Sequence, residues 1–97
     1  MQSLTAQELT TRAGRIGARL TAAFAPDMLE VVDESHLHAG HAGARPEGET
    51  HVFVRIRARA LDALPRLDRH RAIHAELAEE FASGLHALRL QVETGAA

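Results

Sequence analysis

The stretch from Asp68 to Leu90, DRHRAIHAELAEEFASGLHALRL, most constrains the fold of this chain. Asp68 is a suitable capping residue for a helix. Apolar residues then recur every three or four positions and predict one helix face turned to a core, namely Ile73, Leu77, Ala78 and Phe81. Gly84 predicts the end of that helix, because glycine accepts the left-handed conformation of the residue that follows a helix. A strand from Leu85 to Glu93 follows, with His86 near its start.

The charges on this helix are arranged against its dipole. The basic residues come first and the acidic residues last, in the order Arg69, His70, Arg71, Glu76, Glu79 and Glu80. Cations favour the C-terminal end of a helix and anions its N-terminal end, so this order costs roughly a few tenths of a kcal/mol per charge. The basic start is therefore a candidate anion-binding surface, although most charged runs of this kind are solvated surface.

A second amphipathic helix is predicted near the N-terminus. Thr5 and Glu8 form a capping box, and Pro26 marks the end. Between them one apolar face recurs at helical spacing, through Leu9, Ala13, Ile16, Leu20 and Phe24. The opposite face carries three arginines, which we predict to be solvated: Arg12, Arg15 and Arg19.

The middle of the chain reads as two strands around a long loop. Met28–Glu34 and Thr50–Ala58 have β-branched and alternating apolar residues, whereas residues 35–49 are rich in Gly, Ala, His and Pro. Residues 60–67 predict a short helical turn that is interrupted near Pro65. The expected order is α-β-β-α-α-β, an α+β domain with a three-stranded sheet and helices on one face. We predict one domain over residues 1–97, with its core between about 5 and 93.

Composition excludes several classes of function. The chain has no cysteine, which excludes disulfides, a thiol nucleophile and a Cys-ligated metal site built by this chain alone. The net charge of -2 gives no global attraction to nucleic acid. No secretory signal or apolar run of membrane-spanning length is present, so we expect a soluble cytoplasmic protein that does not bind membranes. His70 and His74 have the spacing of two zinc ligands but lack the adjacent glutamate of a zinc protease, and no enzymatic activity is predicted.

Four segments together resemble the BolA family, whose fold is like a class II KH domain. They are VVDES before the long loop, GETHVFV after it, RHRAIHAELAEEF on the long helix and HALRLQ on the last strand. The resemblance covers roughly residues 10–93 of the chain. It implies the same α+β fold and a partner protein, since BolA-like proteins associate with monothiol glutaredoxins and act in iron–sulfur assembly, trafficking or iron sensing.

The resemblance also implies a shared [2Fe–2S] cluster. The family's histidine before the last strand falls on His86, and its second ligand comes from the loop between the first two strands. His38 and His41 both fit that second position, and His41 is slightly favoured by the H-A-G-H submotif. Two histidines on one iron are an established arrangement. The remaining ligands would be a glutaredoxin cysteine and a glutathione thiol in a heterodimer, so this chain alone would bind no cluster. His51, near the loop, is expected to be structural or to support a ligand.

A second function class is nucleic-acid binding. Some BolA relatives are described as DNA-binding transcriptional regulators of stress or morphology genes. Five side chains are candidates for phosphate or partner contacts, with the two on the second strand expected to lie near the three on the helix: Arg69, His70, Arg71, Arg55 and Arg57. Binding of RNA in the manner of KH domains is not expected, because the segment that would carry the KH loop, LPRLDRHR, has no glycine and the G-x-x-G motif GHAG lies between two strands.

Overall fold

A computed structural model describes residues 11–35 and 50–95 of the chain, and these residues form one three-stranded sheet with helices on one of its faces. The predicted α+β class and the order α-β-β-α-α-β are confirmed, with the last predicted helix divided into two segments at Leu77. Among the described residues, no helix is both long enough and apolar enough to cross a membrane.

The first described helix, α1, spans Arg12–Phe24. Thr11 caps it, since its Oγ1 accepts the Gly14 N–H at 3.0 Å. The helix ends before Pro26, as predicted, and Ala25 is its C-terminal cap, with a left-handed φ of 45° and its N–H bonded to the Thr21 carbonyl at 3.0 Å. The predicted start at Thr5 lies outside the described residues.

The sheet has the order β1-β2-β3, with β1 at Met28–Asp33, β2 at His51–Arg57 and β3 at Ala87–Val92. β1 runs antiparallel to the central strand β2, and β3 runs parallel to it. The predicted buried face of β2 is confirmed, because Val52, Val54 and Ile56 are all buried, and on the other face Phe53 is also largely covered, with Arg89 over its ring. By strand geometry the side chains between them lie on the opposite, open face of the sheet.

Three helices connect β2 to β3 and cover the core face: α2 at Arg59–Asp62, α3 at Arg66–Glu76 and α4 at Ala78–Ala82. The core joins these helices to α1 and the sheet through ten buried residues, which are Ile16, Leu20, Val52, Val54, Ile56, Ala58, Leu61, Ile73, Leu77 and Leu85. Each large aliphatic side chain buried in this way contributes roughly 1.5–3 kcal/mol of transfer free energy. This core fixes the helices against the sheet and so places the turn that leads into β3.

The long helix differs from the prediction at its start and in its middle. It begins at Arg66, directly after Pro65, so Asp68 lies in the first turn and is not the cap. Leu77 interrupts it with φ -101° and ψ 14°, although the Leu77 N–H still bonds to the Ile73 carbonyl at 3.2 Å. Ala78 is exposed instead of packed in the core. The interruption turns α4 so that its C-terminal end meets α1.

Candidate metal centre

His86 lies in the short segment between α4 and β3, where the path of the backbone is tightly held. Gly84 has φ 131°, a left-handed conformation that favours glycine and ends the helix as predicted. The Leu85 N–H then bonds to the Glu80 carbonyl at 2.9 Å, and the Leu85 side chain is buried. The His86 N–H donates to the Thr50 carbonyl at 2.8 Å, while the His86 side chain is exposed. The backbone is therefore anchored and the imidazole faces solvent.

His51, the first residue of β2, brings a second imidazole to the same place. The ring centroids of His51 and His86 are 5.4 Å apart, with 52° between their planes. His51 is largely buried, and its Nδ1 lies 2.9 Å from the hydroxyl of Thr50. This hydrogen bond orients the ring. His51 was expected to be structural or to support a ligand, and its contact with His86 shows which candidate ligand it adjoins.

The two ends of the histidine-rich loop meet beside this pair. The hydroxyl of Ser35 accepts the Thr50 N–H at 2.8 Å and the His51 N–H at 3.2 Å. The Glu34 N–H donates to the His51 carbonyl at 2.8 Å. The chain thus leaves the sheet at Ser35 and returns at Thr50 next to His86. The candidate loop ligands His38 and His41 lie outside the described residues.

Glu34, at the base of the loop, forms an ion pair with a residue on the far strand of the sheet. Arg89 of β3 donates to its carboxylate at 2.8 Å, and the guanidinium carbon of Arg89 lies 3.9 Å from the centre of the Phe53 ring. Arg89 therefore spans the central strand on the open face of the sheet. The ion pair also holds the pKa of Arg89 above its ordinary value. This contact links the loop base to the strand that follows His86.

The imidazole groups of this chain fit a metal site whose other ligands come from a second molecule. Within residues 11–35 and 50–95, no group of three or more His, Cys, Asp or Glu side chains is placed to hold a metal ion. His86 and His51 supply imidazole nitrogen, which suits iron and several other transition metals. Because the sequence has no cysteine, any thiolate ligand must come from another molecule. The exposed ring of His86 is accessible to such a molecule.

The segment before His86 is anchored by an ion network that the sequence prediction missed. Arg12 and Arg15, predicted to be solvated, both bind the Glu80 carboxylate, at 2.8 Å and 2.9 Å. Arg12 also donates to the Glu80 carbonyl at 3.0 Å and the Ser83 carbonyl at 3.2 Å. Arg19 lies 3.9 Å from an acidic side chain of α3. The arginine face of α1 is therefore an interface with α4 and α3.

The pKa of Glu80 reflects this environment. Burial raises its pKa, but the hydrogen bonds and charges of Arg15 and Arg12 outweigh the burial. The pKa of Glu80 consequently lies below its ordinary value, and the carboxylate stays ionised between the two guanidinium groups.

The five candidates for a basic surface do not form one surface. Arg55 and Arg57 lie on β2, on the face opposite the helices, where Arg55 pairs with Glu93 at 2.6 Å. That bond raises the pKa of Arg55 above its ordinary value. Arg57 pairs with Asp27 and lies 3.5 Å from Asp62. Strand alternation therefore directs these two arginines to the face of the sheet opposite α3, and the five candidates are divided between two faces.

The other three candidates lie on α3 and differ in their surroundings. Arg69 donates through Nε to the Leu61 carbonyl at 3.0 Å, so part of its role is to hold α2 against α3. His70 is half-buried and Arg71 is exposed. Arg66, Arg69 and His70 line one wall of an open groove of about 370 Å³, whose other wall is formed by residues 90–92 and Thr94.

Comparison with known proteins matches this arrangement to one family. The family model described as BolA-like protein matches residues 20–96. The chain is 42% identical over 80 residues to the DNA-binding transcriptional regulator BolA of Escherichia coli, covering 82% of this chain and 72% of that protein. It is 43% identical over 81 residues to BolA-like protein 1 of Pongo abelii, covering 84% of this chain and 56% of that protein.

The fold is also similar to a solved plant structure. The BolA domain of SufE1 from Arabidopsis thaliana superimposes with a TM-score of 0.76 at 38% identity, covering 95% of each chain. This chain spans little more than half the length of BolA-like protein 1, so the activities of such longer relatives are not transferred with the fold.

Proposed function

The chain belongs to the BolA family, and we propose that it is a non-enzymatic, cytoplasmic accessory protein of iron–sulfur cluster assembly or trafficking. Its partner would be a monothiol glutaredoxin, with which it would share a [2Fe–2S] cluster in a heterodimer. The observation that carries this proposal is the exposed His86 imidazole, 5.4 Å from the ring of His51 at the base of a histidine-rich loop.

His86 and one loop histidine, His41 or His38, would be the ligands from this chain. His51 would keep the ring of His86 in place, since its own ring is oriented by Thr50. The cluster would supply redox-active iron, and its thiolates would come from the glutaredoxin and glutathione because this chain has none. The role of this chain would be to hold an imidazole at a surface that a second protein can approach.

Reconstitution with a partner tests the ligand assignment. The purified chain is mixed with a monothiol glutaredoxin, glutathione, iron and sulfide, and the visible circular dichroism of the cluster is recorded. We expect the chain to change that spectrum and His86→Ala to abolish the change. His74→Ala is the matched control, because His74 is an exposed histidine on α3 whose ring stacks on Phe81.

The same experiment separates the two loop histidines, since only one of His38→Ala and His41→Ala should act like His86→Ala. If His86→Ala leaves both the spectrum and the mass of the complex unchanged, the ligand assignment is wrong. Far-UV circular dichroism of each variant shows whether it is folded, and an exposed imidazole should be removable without loss of fold.

DNA binding is the second candidate function, and the name of the Escherichia coli relative favours it. Here the exposed Arg71 of α3 would contact phosphate. Sequence-selective binding of duplex DNA that persists at about 0.2 M salt, and that Arg71→Ala weakens, would support this function. Binding that disappears by about that salt concentration would indicate only non-specific contact with phosphate.

A further inference from the structure

The groove between α3 and β3 lies at the end of β3 remote from His86, and it combines two features. One wall carries the cationic side chains Arg66 and Arg69 together with His70. The other wall is β3 itself, which is an edge strand of the described sheet. We propose that this groove binds an extended acidic segment of another protein, which adds to the sheet as a strand beside β3.

Within residues 11–35 and 50–95 no strand pairs with the outer edge of β3, and this edge provides the backbone groups for strand addition. The Glu93 N–H donates to the Ile56 carbonyl at 2.8 Å, so it points toward β2. Alternation along a strand then directs the backbone groups of Val92 and Leu90 to the outer edge. Both residues line the groove. An added strand would pair with these groups, as peptides do at exposed sheet edges.

The charge of the groove selects an acidic occupant. The lining residues include two arginines and no carboxylate. In an added strand, every second side chain lies on the helix side of the sheet and so faces this basic wall. Residues 90–94 span roughly 15 Å of extended chain, enough for four or five residues of a partner. Alternate acidic residues over that length would place two carboxylates opposite the arginines.

A single-stranded nucleic acid fits this groove less well. Sequence-tolerant binding of single strands relies on aromatic side chains that stack on the bases. The lining residues contain no Phe, Tyr or Trp, and the sequence has no Tyr or Trp at all. The walls of the groove instead provide an apolar strand edge and a small number of cationic side chains. The structure therefore favours a peptide.

The test measures fluorescence anisotropy of a labelled hexapeptide with alternating Glu and Val, bound to the full chain. We expect saturable binding that a Lys-Val peptide of the same length does not show. Arg66→Glu should weaken the affinity by about tenfold, as expected for reversing one partner of a close charge pair. Arg71→Glu, an exposed arginine on the same helix but not in the groove lining, should change it by less than about twofold.

Backbone methylation distinguishes strand addition from simple charge attraction. Two peptides are compared, one N-methylated at every Glu and the other at every Val. Only one of these sets points toward β3 in an added strand, so one peptide should lose binding and the other should keep it. Equal affinities for both peptides would overturn strand pairing.

Two further results would overturn the proposal. One is an affinity that Arg66→Glu leaves unchanged, and the other is a labelled thymidine oligonucleotide that binds more tightly than the acidic peptide and displaces it at about 0.15 M salt. The inference does not depend on the cluster site. His86→Ala should leave peptide binding unchanged, so failure of either proposal can be recognised without the other.

Discussion

Replacing Glu80 with glutamine tests how strongly α1 is fastened to α4. The Glu80 side chain is 13% exposed and accepts hydrogen bonds from Arg12 at 2.8 Å and from Arg15 at 2.9 Å and 3.1 Å. Removing one partner of a buried ion pair costs about 3–5 kcal/mol, and a hydrogen bond to a charged group contributes about 1.5–3 kcal/mol. Because Arg15 is 39% exposed and glutamine keeps one acceptor oxygen, we expect a loss of about 2–3 kcal/mol.

The assay is urea unfolding followed by far-UV circular dichroism, since the chain has no Trp or Tyr for fluorescence. A loss of that size would lower the melting temperature by about 10–20 °C in a domain of this length. Glu79→Gln is the control, because Glu79 is the exposed preceding residue and its replacement should cost less than about 0.5 kcal/mol. A cost for Glu80→Gln no larger than that of the control would refute the reasoning.

The contribution of Glu80 should depend on pH in a defined direction. Its native pKa is lowered from the ordinary value of 4.5, so the folded protein keeps the carboxylate ionised to lower pH than the unfolded chain does. The stabilisation is therefore complete above about pH 4.5 and is lost as pH falls through the native pKa. The difference in unfolding free energy between the wild type and Glu80→Gln should shrink across that range, and a difference that grows on acidification would contradict the assignment.

Three other substitutions have expected effects that urea unfolding can measure. Gly84→Ala should lower the free energy of unfolding by about 1–3 kcal/mol, since φ is 131° and the new Cβ would lie 3.1 Å from the guanidinium of Arg12. Gly17→Ala should instead raise it by up to about 1 kcal/mol, because Gly17 is in a helix and the new Cβ would meet only Val31, at an ordinary 3.9 Å. Ser35→Ala should cost about 1–3 kcal/mol because the buried Thr50 N–H loses its acceptor, and an unchanged urea midpoint would contradict this.

The local features of the fold could be predicted from the sequence. Alternating apolar residues predicted β2, because one face of a strand must be buried. Gly84 predicted the end of α4, because the residue after a helix often needs a left-handed backbone. The start of α3 was misplaced because Asp68 is a good capping residue, whereas Pro65 precedes the helix that forms. Several residues near a helix start can satisfy the same rule, and tertiary packing selects among them.

Contacts between distant segments could not be predicted in this way. Arg12 and Glu80 are separated by 68 positions, and nothing in either segment alone indicates the other. The arginine face of α1 looked solvated because an arginine row has the same pattern whether water or a carboxylate covers it. His51 likewise carried no signal of its own for a contact with His86, since the pairing of β2 with β3 brings the two rings together.

The ion network bears on the candidate site through Arg12. Its guanidinium bonds to the carbonyls of Glu80 and Ser83, at the end of α4, and the Glu80 carbonyl also accepts the Leu85 N–H at 2.9 Å. The absence of a Cβ at Gly84 leaves room for this contact. His86 follows two residues later, so a change that loosens Arg12 should displace the imidazole before it unfolds the sheet. Glu79 and Glu80, which the sequence places in the acidic tail of one long helix, lie in the first turn of α4 because the helix is interrupted at Leu77. Glu80 there binds the arginines that hold this turn.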